Sequence, residues 1–169
     1  VRSILEKSTY RNLEFIIVEN NSTEPETFAY YKKMKEKHPS FHVVTWKEGF
    51  NYSAINNFGA SFAKGEYLLL LNNDTELLEP DSIREMLGFC QREEVGIAGA
   101  RLLYADDTIQ HAGVVVGLGG VAAHVLCKLP RDAEGYMGRL RCVQEISAVT
   151  AACMMVKTSV FKAVGGFDA

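Results

Sequence analysis

Short apolar runs alternate, along the first hundred residues, with stretches in which apolar positions recur at helical spacing. Residues 13–20 (LEFIIVEN) are a run that closes on polar residues, the pattern of a buried parallel strand. Residues 23–39 carry Phe28, Tyr31 and Met34 or Lys35 at helical spacing, with Thr23 as the expected cap, Pro25 early and Pro39 as the stop. Residues 41–46 (FHVVTW) predict the next strand. Residues 51–65 predict a helix with Ile55, Phe58 and Phe62 on one face and Gly65 as its end. Gly59 inside it costs helix stability and points to close packing. A third strand is expected over 66–74, a helix over 79–93 with Pro80 and Asp81 near its start, and a fourth strand over 95–105.

The pattern then loosens. Residues 108–125 predict one or two strands around a turn at Gly117, Gly119 and Gly120, and 127–142 read as loop. Residues 145–169 resume as a strand, a short helix from Thr158 to Val164 and a Gly-Gly turn. The alternation argues for an α/β fold: a mostly parallel sheet flanked by helices, with an irregular, β-containing second half. No repeat, low-complexity stretch or linker divides the chain, so a single domain over 1–169 is expected.

Composition narrows the picture by exclusion. With 169 residues, 47% of them apolar, the chain can bury a real core. A net charge of -3 and scattered basic residues leave no footprint for nucleic acid. No apolar run approaches a membrane span, and the first residues lack the apolar core of a secretory leader. The four cysteines, Cys90, Cys127, Cys142 and Cys153, form no CxxC or zinc spacing, which reads as reduced thiols in the cytoplasm.

Candidate chemistry gathers at strand ends, where open α/β sheets hold their ligands. Two strands close alike, as IIVENNST and LLLLNNDTE. A divalent cation on a diphosphate needs hard oxygen ligands, and one or two carboxylates suffice because phosphate and water complete the shell. Asp74 suits that task. Asn72 falls on the same side if the strand geometry persists; its amide can hydrogen-bond a ribose hydroxyl but is a poor metal ligand. Glu19 can accept hydrogen bonds from a base or ribose. Asn and Asp also favour turns for local reasons, so spacing alone leaves Asp74 open between ligand and turn residue. The GLGG stretch lacks the GxGxxG fingerprint of a dinucleotide site and reads as a hairpin turn. His111 and His124 are candidates for a metal or an acceptor, with a structural role the commoner outcome for an isolated histidine. No Ser-His-Asp or Cys-His arrangement can be argued from the residue order.

Three segments in order resemble family 2 glycosyltransferases, inverting enzymes of GT-A fold that use nucleotide-activated sugars. SILEKSTYRNLEFIIVENNSTEPET resembles the family's helix, strand and VDNxS turn, with Glu19 in place of Asp. GFNYSAINNFGASFAKGEYLLLLNNDTEL resembles its NxGxxxAxG-strand-DXD segment, with Asn57, Gly59, Ala63 and Gly65 matching and Asn72 in place of the first Asp. AVTAACMMVKTSVFKAVGGFD resembles the acceptor-side strand and GGFD turn. The resemblance implies that Glu19 contacts the nucleoside, Asn57 shapes the nucleotide pocket, Asn72 serves the ribose and Asp74 holds Mg²⁺ or Mn²⁺ on the diphosphate. It also implies a UDP-, GDP- or dTDP-sugar donor and a saccharide or lipid-linked acceptor, in cell-surface polysaccharide synthesis in the cytoplasm or at the inner face of the membrane. On the same resemblance the donor half covers about 1–104 and the acceptor half about 105–169. The family's first strand and the segment with its catalytic base match nothing here. This stretch alone is therefore expected to transfer sugar weakly or not at all, to contain no catalytic base, and to offer open sheet edges for self-association. A non-catalytic nucleotide-binding or protein-interaction module on the same fold is the alternative.

Overall fold

The computed structural model describes residues 1–169. In chain order its first elements are α1 (Arg2–Lys7), β1 (Phe15–Glu19), α2 (Pro25–Lys37), β2 (Phe41–Thr45), α3 (Tyr52–Phe62), β3 (Tyr67–Leu71), α4 (Ser82–Cys90) and β4 (Ile97–Gly99). The short strands β5 (Leu102–Leu103), β6 (Ile109–His111), β7 (Val114–Val116) and β8 (Ala122–His124) follow. A kinked 3₁₀ segment (Tyr136–Arg141), β9 (Cys153–Lys157) and α5 (Thr158–Ala163) complete the chain. This is the mixed α/β build that the alternation predicts. Residues fall into two compact units, one of Val1–Leu68, Leu77–Asp81 and Val156–Ala169, the other of Leu69–Glu76 and Ser82–Met155.

In the first unit β1 and β2 pair in parallel, from Phe15 opposite Phe41 to Glu19 opposite Thr45, so both strands end at one level. β1 has β2 as its only strand neighbour. Helix α2 starts with Pro25 in its first turn and ends with Lys35 and Lys37, both favourable against the helix dipole. Its cap is Glu24, not Thr23, and no side chain bonds the free amides. Helix α3 has a working cap, since Asn51 Oδ1 accepts the Ala54 N–H at 3.0 Å. It stops at Phe62, short of Gly65, and Gly65 is not left-handed. The Glu14 carboxylate accepts the Lys64 and Gly65 N–H groups instead, holding the exit that a glycine cap was expected to make.

Gly59 is the one buried residue of α3, and a Cβ there would lie 2.7 Å from Val18 Cγ2 on β1. Helix and strand therefore approach through a missing side chain, as the glycine's position predicts. Val18 is β-branched and turns poorly about χ1, so it cannot swing clear. Overpacking of this kind costs about 1–3 kcal/mol, more than the ~1 kcal/mol of helix propensity that alanine returns. Gly59→Ala is expected to lower the urea midpoint, and adding Val18→Ala to restore most of it. Equal midpoints for Gly59→Ala and the parent would remove the close-approach explanation.

In the second unit α4 buries Ile83, Met86 and Cys90 and packs on β4. Cys90 is wholly enclosed and its thiol donates to the Met155 carbonyl at 3.4 Å. The single strand expected over 95–105 is two. Ala100 N–H donates to Cys153 O, after which the chain leaves to pair β5 with β6 in antiparallel fashion. The sheet that contains β4 has the order β3-β9-β4. β7 and β8 form an antiparallel hairpin, Val114 opposite His124 and Val116 opposite Ala122, and Gly117, Gly119 and Gly120 supply the positive φ angles of its turn. No helix is long and apolar enough to cross a membrane.

Candidate functional site

The exit of β3 is fixed from within. Asn72 N–H donates to Ala152 O at 3.0 Å, and the Asn72 carbonyl accepts from Thr75 Oγ1 at 2.7 Å and Thr75 N at 3.4 Å. The three-residue closure places Asn73 and Asp74 on the outside. Asp74 is exposed, and its carboxylate makes no hydrogen bond or ion pair within the chain. A turn residue acting as a local cap would spend its oxygens on neighbouring amides. Asp74 spends none.

The exit of β1 is built the opposite way. Glu19 is 6% exposed, and its carboxylate is engaged on both oxygens. Oε1 accepts the Ser22 N–H at 2.6 Å, while Oε2 accepts the Ser22 hydroxyl at 2.7 Å and the Tyr31 hydroxyl at 3.0 Å. Burial opposes ionisation, but these three donors outweigh it and hold Glu19 below the ordinary carboxylate range. Tyr31 is pushed up, first by burial and then by its bond to Glu19. Asn20 Nδ2 donates to Trp46 O at 3.1 Å and Glu48 O at 3.0 Å, tying the loop after β1 to the loop after β2. Asn21 takes a left-handed φ of 59°, which Asn tolerates. Glu19 therefore acts on the loop that follows it. Beside it a shallow cleft of about 450 Å³ opens along α2 and β2, lined by Phe28, Tyr31, Lys32, Lys35 and Thr45.

Asn57, in the middle of α3, has both ends of its amide engaged by one residue. Nδ2 donates to Phe167 O and Oδ1 accepts from Phe167 N, each at 2.8 Å. Glu19 and Asn57 belong to the first unit, and Asn72 and Asp74 to the second. Of the four, only Asn72 and Asp74 share a turn.

His111 and His124 meet each other. Their Nδ1 atoms are 2.8 Å apart with the rings at 86°. His111 is 2% exposed, and its Nε2 accepts the Thr150 N–H at 3.4 Å. That acceptor leaves the His111 proton to Nδ1, which faces His124 Nδ1. Burial first, and the charge of His124 second, push His111 down to about 4. None of the four cysteines forms a disulfide: Cys127 and Cys142 are exposed, and burial pushes the Cys153 thiol up to about 11.

A divalent ion held by the protein alone needs several hard ligands, and no three His, Cys, Asp or Glu side chains gather to supply them. A diphosphate-borne ion needs far less. Asp74, exposed and uncommitted on a fixed turn, fits that lesser demand, with phosphate oxygens and water filling the remaining positions.

The residues that hold the candidates escaped the pattern of the sequence. Ser22 carries the Glu-x-x-Ser spacing of a local side-chain turn, and Thr75 the matching Asn-x-x-Thr, so both left a signal. Tyr31 was legible only as a helical face, and Phe167 lies 110 residues from Asn57, beyond any local rule.

Comparison with known proteins converges on one family. The family model described as Glycosyl transferase family 2 matches residues 1–165. The uncharacterized protein y4gI of Sinorhizobium fredii (strain NBRC 101917 / NGR234) is 44% identical over 168 residues, 99% of this chain and 18% of that protein. The O-antigen biosynthesis protein RfbC of Myxococcus xanthus is 42% identical over 169 residues, 99% of this chain and 13% of that protein. The chain thus spans less than a fifth of the length of these relatives. No solved structure matches.

Proposed function

The chain belongs to glycosyl transferase family 2, and from that premise we propose that it binds a nucleotide-diphospho-sugar whose sugar passes, with metal assistance and inversion, to a hydroxyl acceptor. Its mixed α/β build is that of a GT-A-type domain. The observation that carries the reading is Asp74: an exposed carboxylate with no partner, on a turn closed by Asn72 and Thr75. In this role Asp74 anchors Mg²⁺ or Mn²⁺ on the diphosphate, and the ion supplies Lewis-acid neutralisation of the departing nucleoside diphosphate. Asn72 serves the ribose side. Glu19 serves the nucleoside end by fixing the loop after β1, since its carboxylate is already engaged. Asn57 enters as a shaping residue through the backbone that it binds. The name of the Myxococcus relative supports a surface-polysaccharide acceptor, saccharide or lipid-linked. None of the four cysteines forms a disulfide and two are exposed, which favours a reducing compartment, so a cytoplasmic site of action is part of the proposal.

Titration of UDP, GDP and dTDP into the protein, with Mn²⁺ and then with EDTA, tests it. One of the three nucleotides is expected to bind at least about tenfold tighter with metal, ~1.4 kcal/mol. Binding of none of them supports the non-catalytic interaction module. Equal affinity with and without metal removes Asp74 from the role given to it.

A further inference from the structure

The hairpin of β7 and β8 shows apolar side chains to solvent on both of its faces. Successive residues of a strand point to opposite sides, yet Val115 and Val116 are 44% and 64% exposed. Leu118 in the turn is 48% exposed and Val121 85%. The space around the turn is open, since a Cβ at Gly117 or Gly120 would meet nothing within 4 Å. An antiparallel sheet packed on protein keeps one face apolar and the other polar. At this tip neither face is polar.

The opposite end of the hairpin is held. Val114 N–H donates to Ala148 O at 3.0 Å, Val125 N–H to Gly113 O at 3.2 Å, and His124 meets His111 at 2.8 Å. Gly113 is buried, and a Cβ there would lie 3.0 Å from Ile146 Cδ1. The turn closes on itself, with Gly117 N–H donating to Val121 O at 2.7 Å. An apolar tip therefore stands on a fixed base.

Charge is sorted in the same way. Residues 109–127 hold no Asp, Glu, Lys or Arg, although the chain's 18 basic and 21 acidic residues would place about four there. Charges of both signs return on the flanking segments, where Lys128 lies 3.8 Å from Asp106 and Arg131 lies 3.4 Å from Asp107. A zwitterionic bilayer has the matching profile, a charge-free interior under a headgroup layer of both signs. The reach matches too. Three strand residues extend about 10 Å, close to the roughly 5–10 Å at which interfacial elements sit. That is far short of the ~30 Å hydrocarbon core. At this depth water and headgroups can still bond the outward N–H and C=O groups of a two-stranded hairpin.

We propose that the β7–β8 hairpin is a membrane-docking element: Val116, Leu118 and Val121 enter the interfacial layer of a bilayer, drawn by apolar contact and not by charge. The proposal stands apart from donor binding and survives its failure. The hairpin and Asp74 belong to the same compact unit, so docking keeps that unit at the membrane, where a lipid-linked acceptor lies.

The test is cosedimentation of the full-length protein with phosphatidylcholine vesicles, and with vesicles of mixed phosphatidylcholine and phosphatidylglycerol, at low and high salt. Binding to both is expected, with salt changing it by no more than about twofold. Val121→Asp and Leu118→Asp are each expected to weaken vesicle binding at least about tenfold, and Val121→Leu to keep it. Val121→Ser is expected to weaken it severalfold, and covers the case in which the aspartate variants do not fold. An unsubstituted protein that stays in the supernatant with both vesicle types overturns the proposal. So does binding that the folded tip variants leave unchanged, or binding that needs phosphatidylglycerol and is lost in high salt. Tip variants that change the oligomer mass in light scattering, but not vesicle binding, make the hairpin a protein contact and overturn it as well.

Discussion

Asp74→Ala is expected to remove the metal-dependent part of nucleotide binding, about 2–3 kcal/mol or roughly 30- to 150-fold in affinity, and to leave stability unchanged within about 0.5 kcal/mol. The two halves of that expectation have one cause. The carboxylate is exposed and bonds nothing in the chain, so its removal leaves no buried group unsatisfied. The turn survives because Asn72 and Thr75 close it through a backbone carbonyl and a hydroxyl, neither of them from residue 74. What is lost is the charge, which a bound cation on a diphosphate needs and a folded apo chain does not. Asp74→Asn should therefore match Asp74→Ala, since an amide of the same shape restores no charge. Asn72→Asp tests the other position of the turn, and a second carboxylate there is expected to strengthen Mn²⁺-dependent binding severalfold. The checking measurement is calorimetric titration of nucleotide with Mn²⁺ and with EDTA, beside a urea melt of each variant. A drop in stability as large as the drop in affinity would assign Asp74 to the turn after all.

What the sequence disclosed follows from the range over which each signal acts. Buried strands and amphipathic helices of the first half announce themselves through periodicity, and they stand with edges shifted by one to a few residues. The edges moved where a long-range partner replaced a local cap, as Glu14 does at the end of α3. Gly59 was legible because a glycine in a helix demands a reason, and Val18 is that reason. The second half was legible only as hairpin and loop, since two- and three-residue strands carry no period to read. Among candidate residues, chemistry could be read but commitment could not. Glu19 ends β1 and Asp74 lies in the turn after β3, yet one carboxylate is enclosed by Ser22 and Tyr31 and the other faces solvent. The difference lies in Tyr31, twelve residues along and on another element, where no spacing rule reaches. Asn57 shows the same limit over 110 residues.

Acid is expected to destabilise the fold in two separate windows, and His111 owns the first. Its folded pKa of about 4 lies below the ordinary value of 6.5. Between those values the unfolded chain takes up a proton that the folded chain refuses, so stability falls as pH falls. The contribution is complete above pH 6.5 and fully lost below about 4. The loss comes to about 1 kcal/mol by pH 5.5 and about 3 kcal/mol in full, at ~1.4 kcal/mol per unit. The structural cause is that His111 is buried, donates from Nδ1 to His124 and accepts from Thr150 at Nε2, so a second proton breaks one bond and faces the exposed partner ring. Glu19 owns the second window. Its pKa is depressed, so its contribution is present above the ordinary carboxylate value, about 4.3, and is lost only as pH falls through the lower folded value. Urea midpoints at pH 7.5 and 5.5 isolate the histidine. His111→Gln should be less stable than the parent at pH 7.5 but should lose little more on going to 5.5, whereas Glu19→Gln should keep the parent's slope over that interval. A parent whose midpoint does not move between pH 7.5 and 5.5 would mean that the His111–His124 bond opens to water readily, and that the ring is protonated where it stands.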